Sequence, residues 1–191
     1  MNEKVSSKEK LIITASKLFQ QQGYHATGLN QITKESGAPK GSLYYHFPDG
    51  KEQLALESIQ LTTEFVARQI EEGLKQSDNP VIAIQHFISM IADRFQKEGH
   101  QQGVPIAAVA LETSLISDEL RKGCQEAYRK FQNLFAQKLV SGGFVEERAE
   151  QLAVVINSMI EGAFLLSFTY GDSRPLRLVA EEIPHVLRME D

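Results

Sequence analysis

Tryptophan is absent from the 191 residues, and cysteine occurs once, at Cys124. A single thiol excludes an intramolecular disulfide and a cysteine-based zinc cage. No stretch supplies the ~20 apolar residues that a membrane helix needs. The most apolar one, residues 152–168, is interrupted by Asn157, Ser158 and Glu161. The first ten residues are polar and carry no cleavage-site pattern, so the cytoplasm is the expected compartment. Also missing are a glycine-rich phosphate loop and any His-x-x-x-His pair. The five histidines, at 25, 46, 86, 100 and 185, have no metal-ligand spacing. No metal, no cofactor and no enzymatic reaction is expected. Cys124 has no histidine nearby in sequence and reads as a packed thiol, with redox sensing as the lesser alternative.

What is present is ordinary in bulk and uneven in detail. Hydrophobic residues make up 42% and charged residues 24%, which suits a folded globular protein and excludes whole-chain disorder. The formal net charge of −5 points away from nucleic acid until it is located along the chain. Residues 1–47 hold six Lys, no Arg and three Glu, a net of +3, and the remaining 144 residues carry −8. Charge asymmetry of this kind hints at a nucleic-acid contact on the basic side, although +3 is also what a solvated helical face carries.

The pattern along the chain is helical throughout, with almost no strand-like alternation. Residues 7–22 place Leu11, Ile12, Ala15, Leu18 and Phe19 on one stripe, with Ser7 as N-cap and Gly23 as the stop. A short helix follows Thr27, whose hydroxyl can cap it; Leu29 and Ile32 face inward, and Ser36-Gly37 ends it. Pro39 disfavours helix at Ala38, so a genuine break separates this element from a third helix at 42–47. Two short helices around a tight turn, braced by a longer one, outline a helix-turn-helix module. Leu29, Ile32, Leu43 and Phe47 anchor the pair. The residues Thr27, Leu29, Ile32, Gly37, Ala38, Gly41, Leu43, Tyr44, His46, Phe47, Lys51, Glu52 and Leu54 fall at the spacings of a known signature. On them the segment resembles the DNA-binding end of the TetR family of bacterial transcriptional regulators. The link Pro48-Asp49-Gly50 is one residue longer than usual, and Ser36 stands where alanine is common. The stretch from Tyr44 to Lys51, with Gly103–Ala108, is similar to the branch that includes lincomycin-resistance and flavonoid-responsive repressors.

The resemblance implies an all-α chain of about nine helices, with a DNA-binding domain at 1–50 and an effector-binding and dimerisation domain at 51–191. It also implies a dimeric repressor that binds a palindromic operator and is released by a small apolar or aromatic effector. Chemistry at the leading end of the third helix agrees. Lys40 can reach guanine O6 and N7 or a phosphate, Gly41 lets the backbone come close, and Ser42 can contact either. Tyr44, Tyr45 and His46 fan around the helix and cannot all be core. Lys51 and Thr27 can meet phosphates, Thr27 with help from free backbone amides. Taken singly, each of these side chains has a plain structural role; together, at this spacing, they read as a DNA face.

The remainder reads as a larger helical body. Asp49 and Glu52 form a capping box for a helix to about Gln76. Asn79-Pro80 starts another, to about Glu98. Residues 105–113 are nearly all apolar and are expected to be buried. Helices at 117–140, 146–170 and 175–189 complete the chain, with Pro184 bending the last. Phe87, Met90, Phe131, Phe135 and Met159 are candidate effector contacts, with His86, His100 or Glu112 as polar anchors. On the helix at 146–170, one face holds Leu152, Ile156, Met159, Ala163 and Phe164, and another holds Val154, Leu165 and Phe168. One face belongs to the chain's own core and the other to a second copy; the first set is assigned to the dimer. A helical enzyme or interaction protein is the competing class, and a gel shift separates the two.

Overall fold

The computed structural model describes residues 5–98 and 106–188, and among them nine α-helices and no strand. They are α1 (Ser7–Ala26), α2 (Leu29–Ser36), α3 (Lys40–His46), α4 (Lys51–Leu74), α5 (Pro80–Glu98), α6 (Ala107–Thr113), α7 (Asp118–Ser141), α8 (Glu146–Tyr170) and α9 (Arg174–Val186). His100, Gly103, Val104 and Pro105 lie outside the described residues. The helices pack as two units. One comprises the described residues of Met1–Glu64 and Gln102–Ala127, the other those of Phe65–Gln101 and Tyr128–Asp191.

In the first unit, α1 is the brace. Its N-cap is Ser6 rather than Ser7. The Ser6 hydroxyl accepts from Glu9 N–H at 3.1 Å, and the Glu9 carboxylate accepts from Ser6 N–H at 2.8 Å. Glu9 stands three residues after Ser6, and that spacing selects between the two serines. Leu11, Ala15, Leu18 and Phe19 are buried, as are Ile32 of α2, Leu43 of α3 and Phe47 just beyond it. α1 packs against α2, α3 and α6. Against α4 it carries a polar seam: the Ser16 and Thr62 hydroxyls lie 2.8 Å apart, and Gln20 donates to both. Lys8 adds an ion pair with Glu57 of α4 at 2.7 Å. The start of α4 departs from the expected box. Gln53 accepts from Asp49 N–H at 3.3 Å, while Glu52 accepts the Ser117 hydroxyl proton. Gly123 of α7 leaves only 3.1 Å between a would-be Cβ and Leu56 of α4.

The buried short helix is the clearest difference from expectation in this unit. α6 keeps Val109 and Thr113 inside but presents Leu111, 80% exposed, and the link to α7 presents Leu115, 97% exposed. A run of apolar residues looks buried from sequence, yet seven residues make two turns, and only one face of two turns can reach the core.

In the second unit, Asn79 caps α5 by accepting from Val81 and Ile82 N–H at 2.9 and 3.2 Å. α9 packs on α5 and α8 around Ala92, Phe95, Ala163 and Leu176, with Ile91, Phe164, Phe168 and Val179 at the margin. Phe95 meets Phe168 edge-on at 5.1 Å. Gly73 has no room for a side chain, because a Cβ would stand 2.6 Å from the Phe87 ring. α8 is long and apolar enough to cross a bilayer by length and composition, but a stripe of it is sealed in the unit's core.

Candidate nucleic-acid interface

α3 exists because Pro39 sets the chain direction before it and because Leu43 and Phe47 pin its inner side. Pro39 has φ −56° and ψ 138°, and its carbonyl accepts from Ser42 N–H at 2.8 Å. Leu43 and Phe47 are 1% and 0% exposed. Four residues apart, they mark one face of the helix, so the residues between them must face elsewhere. Lys40, Gly41, Tyr44 and Tyr45 are exposed, Tyr45 at 81%. Ser42 and His46 are half-buried, and His46 packs edge-on against Tyr45 with ring centroids 4.9 Å apart. Gly37 ends α2 in the left-handed region, at φ 64°, where glycine is the favoured residue. Lys34 of α2 is exposed as well. The outer face of α3 is therefore a short row of cationic and polar aromatic groups whose positions are held from behind.

Two further candidate contacts lie off α3, and one of them does not face outward. Thr27 is fully buried. Its hydroxyl donates back to Gly23 O at 2.7 Å, and the N-cap of α2 is Gly28. Thr27 stitches the turn and does not face outward, which removes it from the candidate contacts. Lys51, at the first turn of α4, is half-buried, with its Nζ 4.4 Å from the centroid of the Tyr24 ring. Burial lowers its pKa, and the Glu112 carboxylate pushes it back up.

The candidate effector residues do not converge. Phe87, Phe131 and Phe135 are buried, and Phe87 and Phe135 touch with centroids 5.9 Å apart. Met159 is half-buried. Met90 turns outward into an open hollow of about 460 Å³, shared with His86, Ser89, Asp93, Arg94 and Lys97. Glu112 serves a different purpose, described below. The residue that sequence inspection passed over is Glu161. Its Oε2 is buried without a hydrogen-bond partner, and burial pushes the carboxyl pKa up to about 7. The only signal in the sequence was a lone acid within the apolar stretch 152–168.

On α8 the face expected to meet a second copy lies largely inside the chain's own unit; of the other face, Val154 and Leu165 are exposed while Phe168 packs on the core. Leu152, Ile156 and Ala163 are 3%, 0% and 4% exposed inside their own unit, and Met159 and Phe164 are half-buried. These side chains are already covered and have little area left for a second copy. The exposed apolar stripe is Val154, Val155, Leu165 and Leu166, with Ser158 and Gly162 between them. Cys124 is buried, with its pKa raised to about 11, so its reactive thiolate is scarce at neutral pH.

Residues 7–57 match the bacterial regulatory proteins of the tetR family, and residues 80–182 match the C-terminal domain of LmrA/YxaF-like transcriptional regulators. The chain is 50% identical over 188 residues to the uncharacterized HTH-type transcriptional regulator YxaF of Bacillus subtilis, covering 98% of both. It is 44% identical over 182 residues to the HTH-type transcriptional regulator LmrA of the same organism, covering 95% of this chain and 97% of that one. The biofilm operon icaADBC HTH-type negative transcriptional regulator IcaR of Staphylococcus aureus is 32% identical over 81 residues, covering 42% and 43%. Among solved structures, a TetR transcriptional regulator from Legionella pneumophila superposes with a TM-score of 0.85 at 24% identity, covering 98% of this chain and 100% of that one. That likeness concerns the fold.

Proposed function

From the premise that this chain belongs to the TetR family of transcriptional regulators, which are not enzymes, we propose that it is a dimeric, cytoplasmic repressor released from a palindromic operator by a small, largely apolar or aromatic effector. The observation that carries the reading is the outer face of α3. Lys40, Gly41, Tyr44 and Tyr45 stand exposed on a helix whose opposite side is clamped by Leu43 and Phe47. Such a helix can enter a major groove about 12 Å wide without disturbing its own core. Lys40 then reads a base edge or a phosphate, while Tyr44, Tyr45 and Lys51 hold the backbone. Ser42 and His46 reach the groove from the sides of the helix.

The apolar stripe of α8 supports self-association, since apolar side chains in a continuous row favour a covered state. Two copies would place two α3 helices on successive grooves, about 34 Å apart, which matches a two-fold operator. Repression is the reading that IcaR, a negative regulator, favours among the relatives. We place the effector in the second unit, to which Phe87, Phe131, Phe135 and Met159 all belong. Binding there would act through α4, which begins at Lys51, and would lower DNA affinity by its differential affinity for the two states.

The test is fluorescence anisotropy on labelled duplex from upstream of the chain's own gene and of its neighbours. The expected result is tight binding to one of these duplexes, with an affinity that falls steeply as salt rises. Equal, weak binding to all duplexes, or no dependence on salt, overturns the reading.

A further inference from the structure

α1 is broken near its end. Gly23 has φ 83° and ψ 173°, a region essentially closed to any residue with a Cβ. Breaking a helix frees backbone groups that must find other partners. Two side chains supply them. Thr27, from the same segment, donates to the Gly23 carbonyl. Glu112, on α6 and 87 residues further on, accepts from His25 N–H at 2.7 Å. Its other carboxylate oxygen occupies the space where a Gly23 Cβ would stand, so the glycine is needed twice, for its dihedral angles and for this approach.

The same corner holds the first turn of α4. Lys51 sits over the Tyr24 ring, and Tyr24 lies between Gly23 and His25, the two residues that Glu112 touches. The Glu112 charge also favours the protonated form of Lys51, so the carboxylate and the ammonium are near enough to feel each other. One residue along, Glu52 accepts from Ser117 ahead of α7. The α6–α7 corner thus grips the end of α1 and the start of α4 together.

We propose that Glu112 is a positioning residue for DNA binding: by closing the break in α1 it fixes Tyr24, and through that ring it aims Lys51 at the phosphate backbone. The inference rests on the DNA-binding reading above. A carboxylate that merely stabilised the fold would act independently of Lys51. A carboxylate that aims Lys51 loses its effect on DNA once Lys51 is gone.

The experiment is a double-mutant cycle on the full chain, with Kd for the labelled upstream duplex measured beside the melting temperature. E112A is expected to weaken binding about tenfold, and E112Q, which keeps an acceptor for His25 N–H, to stay within about threefold. K51M should weaken binding and reduce the salt slope by about one. In the K51M background, E112A should cost less than about twofold further. Y24L removes the ring and leaves the carboxylate, so it repeats the cycle where E112A folds poorly, with the same non-additivity expected. Additive effects overturn the proposal, as does an E112A chain that binds like wild type or a K51M chain that loses nothing. A wild-type chain that binds no duplex overturns the DNA-binding reading itself, a different and separately visible result.

Discussion

Replacing Glu161 by Gln should stabilise the protein above neutral pH and flatten its stability between pH 5 and 8. The carboxyl is buried on α8 with no partner for Oε2, and its pKa is about 7 against an ordinary 4.5. Burial is the cause, because a charge loses its hydration there and gains nothing in return. The folded state therefore holds the proton more tightly than the unfolded chain. The resulting stabilisation is complete below the unfolded value and is lost as pH rises through the folded one. Taking those two values, this one group removes about 2–3 kcal/mol between pH 5 and pH 8. Gln mimics the protonated carboxyl and cannot ionise. The variant should match wild type within about 1 kcal/mol at pH 5 and exceed it by about 3 kcal/mol at pH 8. For a chain of this length the gap at pH 8 corresponds to a rise in Tm of roughly 6–12 °C. The assay is thermal or urea unfolding of both proteins from pH 5 to 8 at one fixed concentration, since self-association would shift apparent stability. The difference between the two curves cancels every other titrating group. Parallel curves would refute the reasoning, and a variant less stable than wild type at pH 8 would mean that the carboxylate has found a cationic partner.

Three further outcomes are expected. Tyr45→Ala should leave the unfolding free energy within about 0.5 kcal/mol of wild type, because the side chain is 81% exposed, yet weaken binding to all duplexes; Lys40→Ala should also relax base preference, as competition binding on operator variants would show. Leu165→Arg, on the exposed stripe of α8, should shift the protein to monomers in sedimentation without loss of helical signal by circular dichroism; unchanged sedimentation would count against that face as the self-association surface. Gly73→Ala should cost about 1–3 kcal/mol in urea unfolding despite alanine's better helix propensity, because its methyl would meet the buried Phe87 ring at 2.6 Å.

Local signals in this sequence were readable and distant ones were not. Glu146–Tyr170 is observed as expected, and so is the Asn79 cap, because each is decided within a few residues. The exposed row of α3 was readable for a related reason: Leu43 and Phe47 mark the inner side of a seven-residue helix, and its neighbours follow from period alone. Period gives two faces for α8 but does not say which meets the chain's own core. That choice depends on packing with α5, far back along the chain, and with α9, so Leu152, Ile156 and Ala163 were assigned outward when they are buried. Thr27 looked like a free cap because the stop at Gly23, although legible, does not reveal that the Gly23 carbonyl captures the Thr27 hydroxyl. Glu112 lies 87 residues from the amide it caps, and no spacing rule connects them.

The first unit draws on two separate stretches of chain, ending at Glu64 and resuming beyond Gln102, and this bears on how the protein is made. The N-terminal helices leave the ribosome before their α6 partner has been translated. At roughly 5–20 residues per second, the intervening 40 or so residues take about 2–8 seconds. Through that interval the kink at Gly23 has no carboxylate to close it, and the apolar side of α1 lacks one of the surfaces that later cover it. The nascent chain has to wait with its N-terminal unit unfinished, so a newly made regulator completes that unit only after α6 has been synthesised.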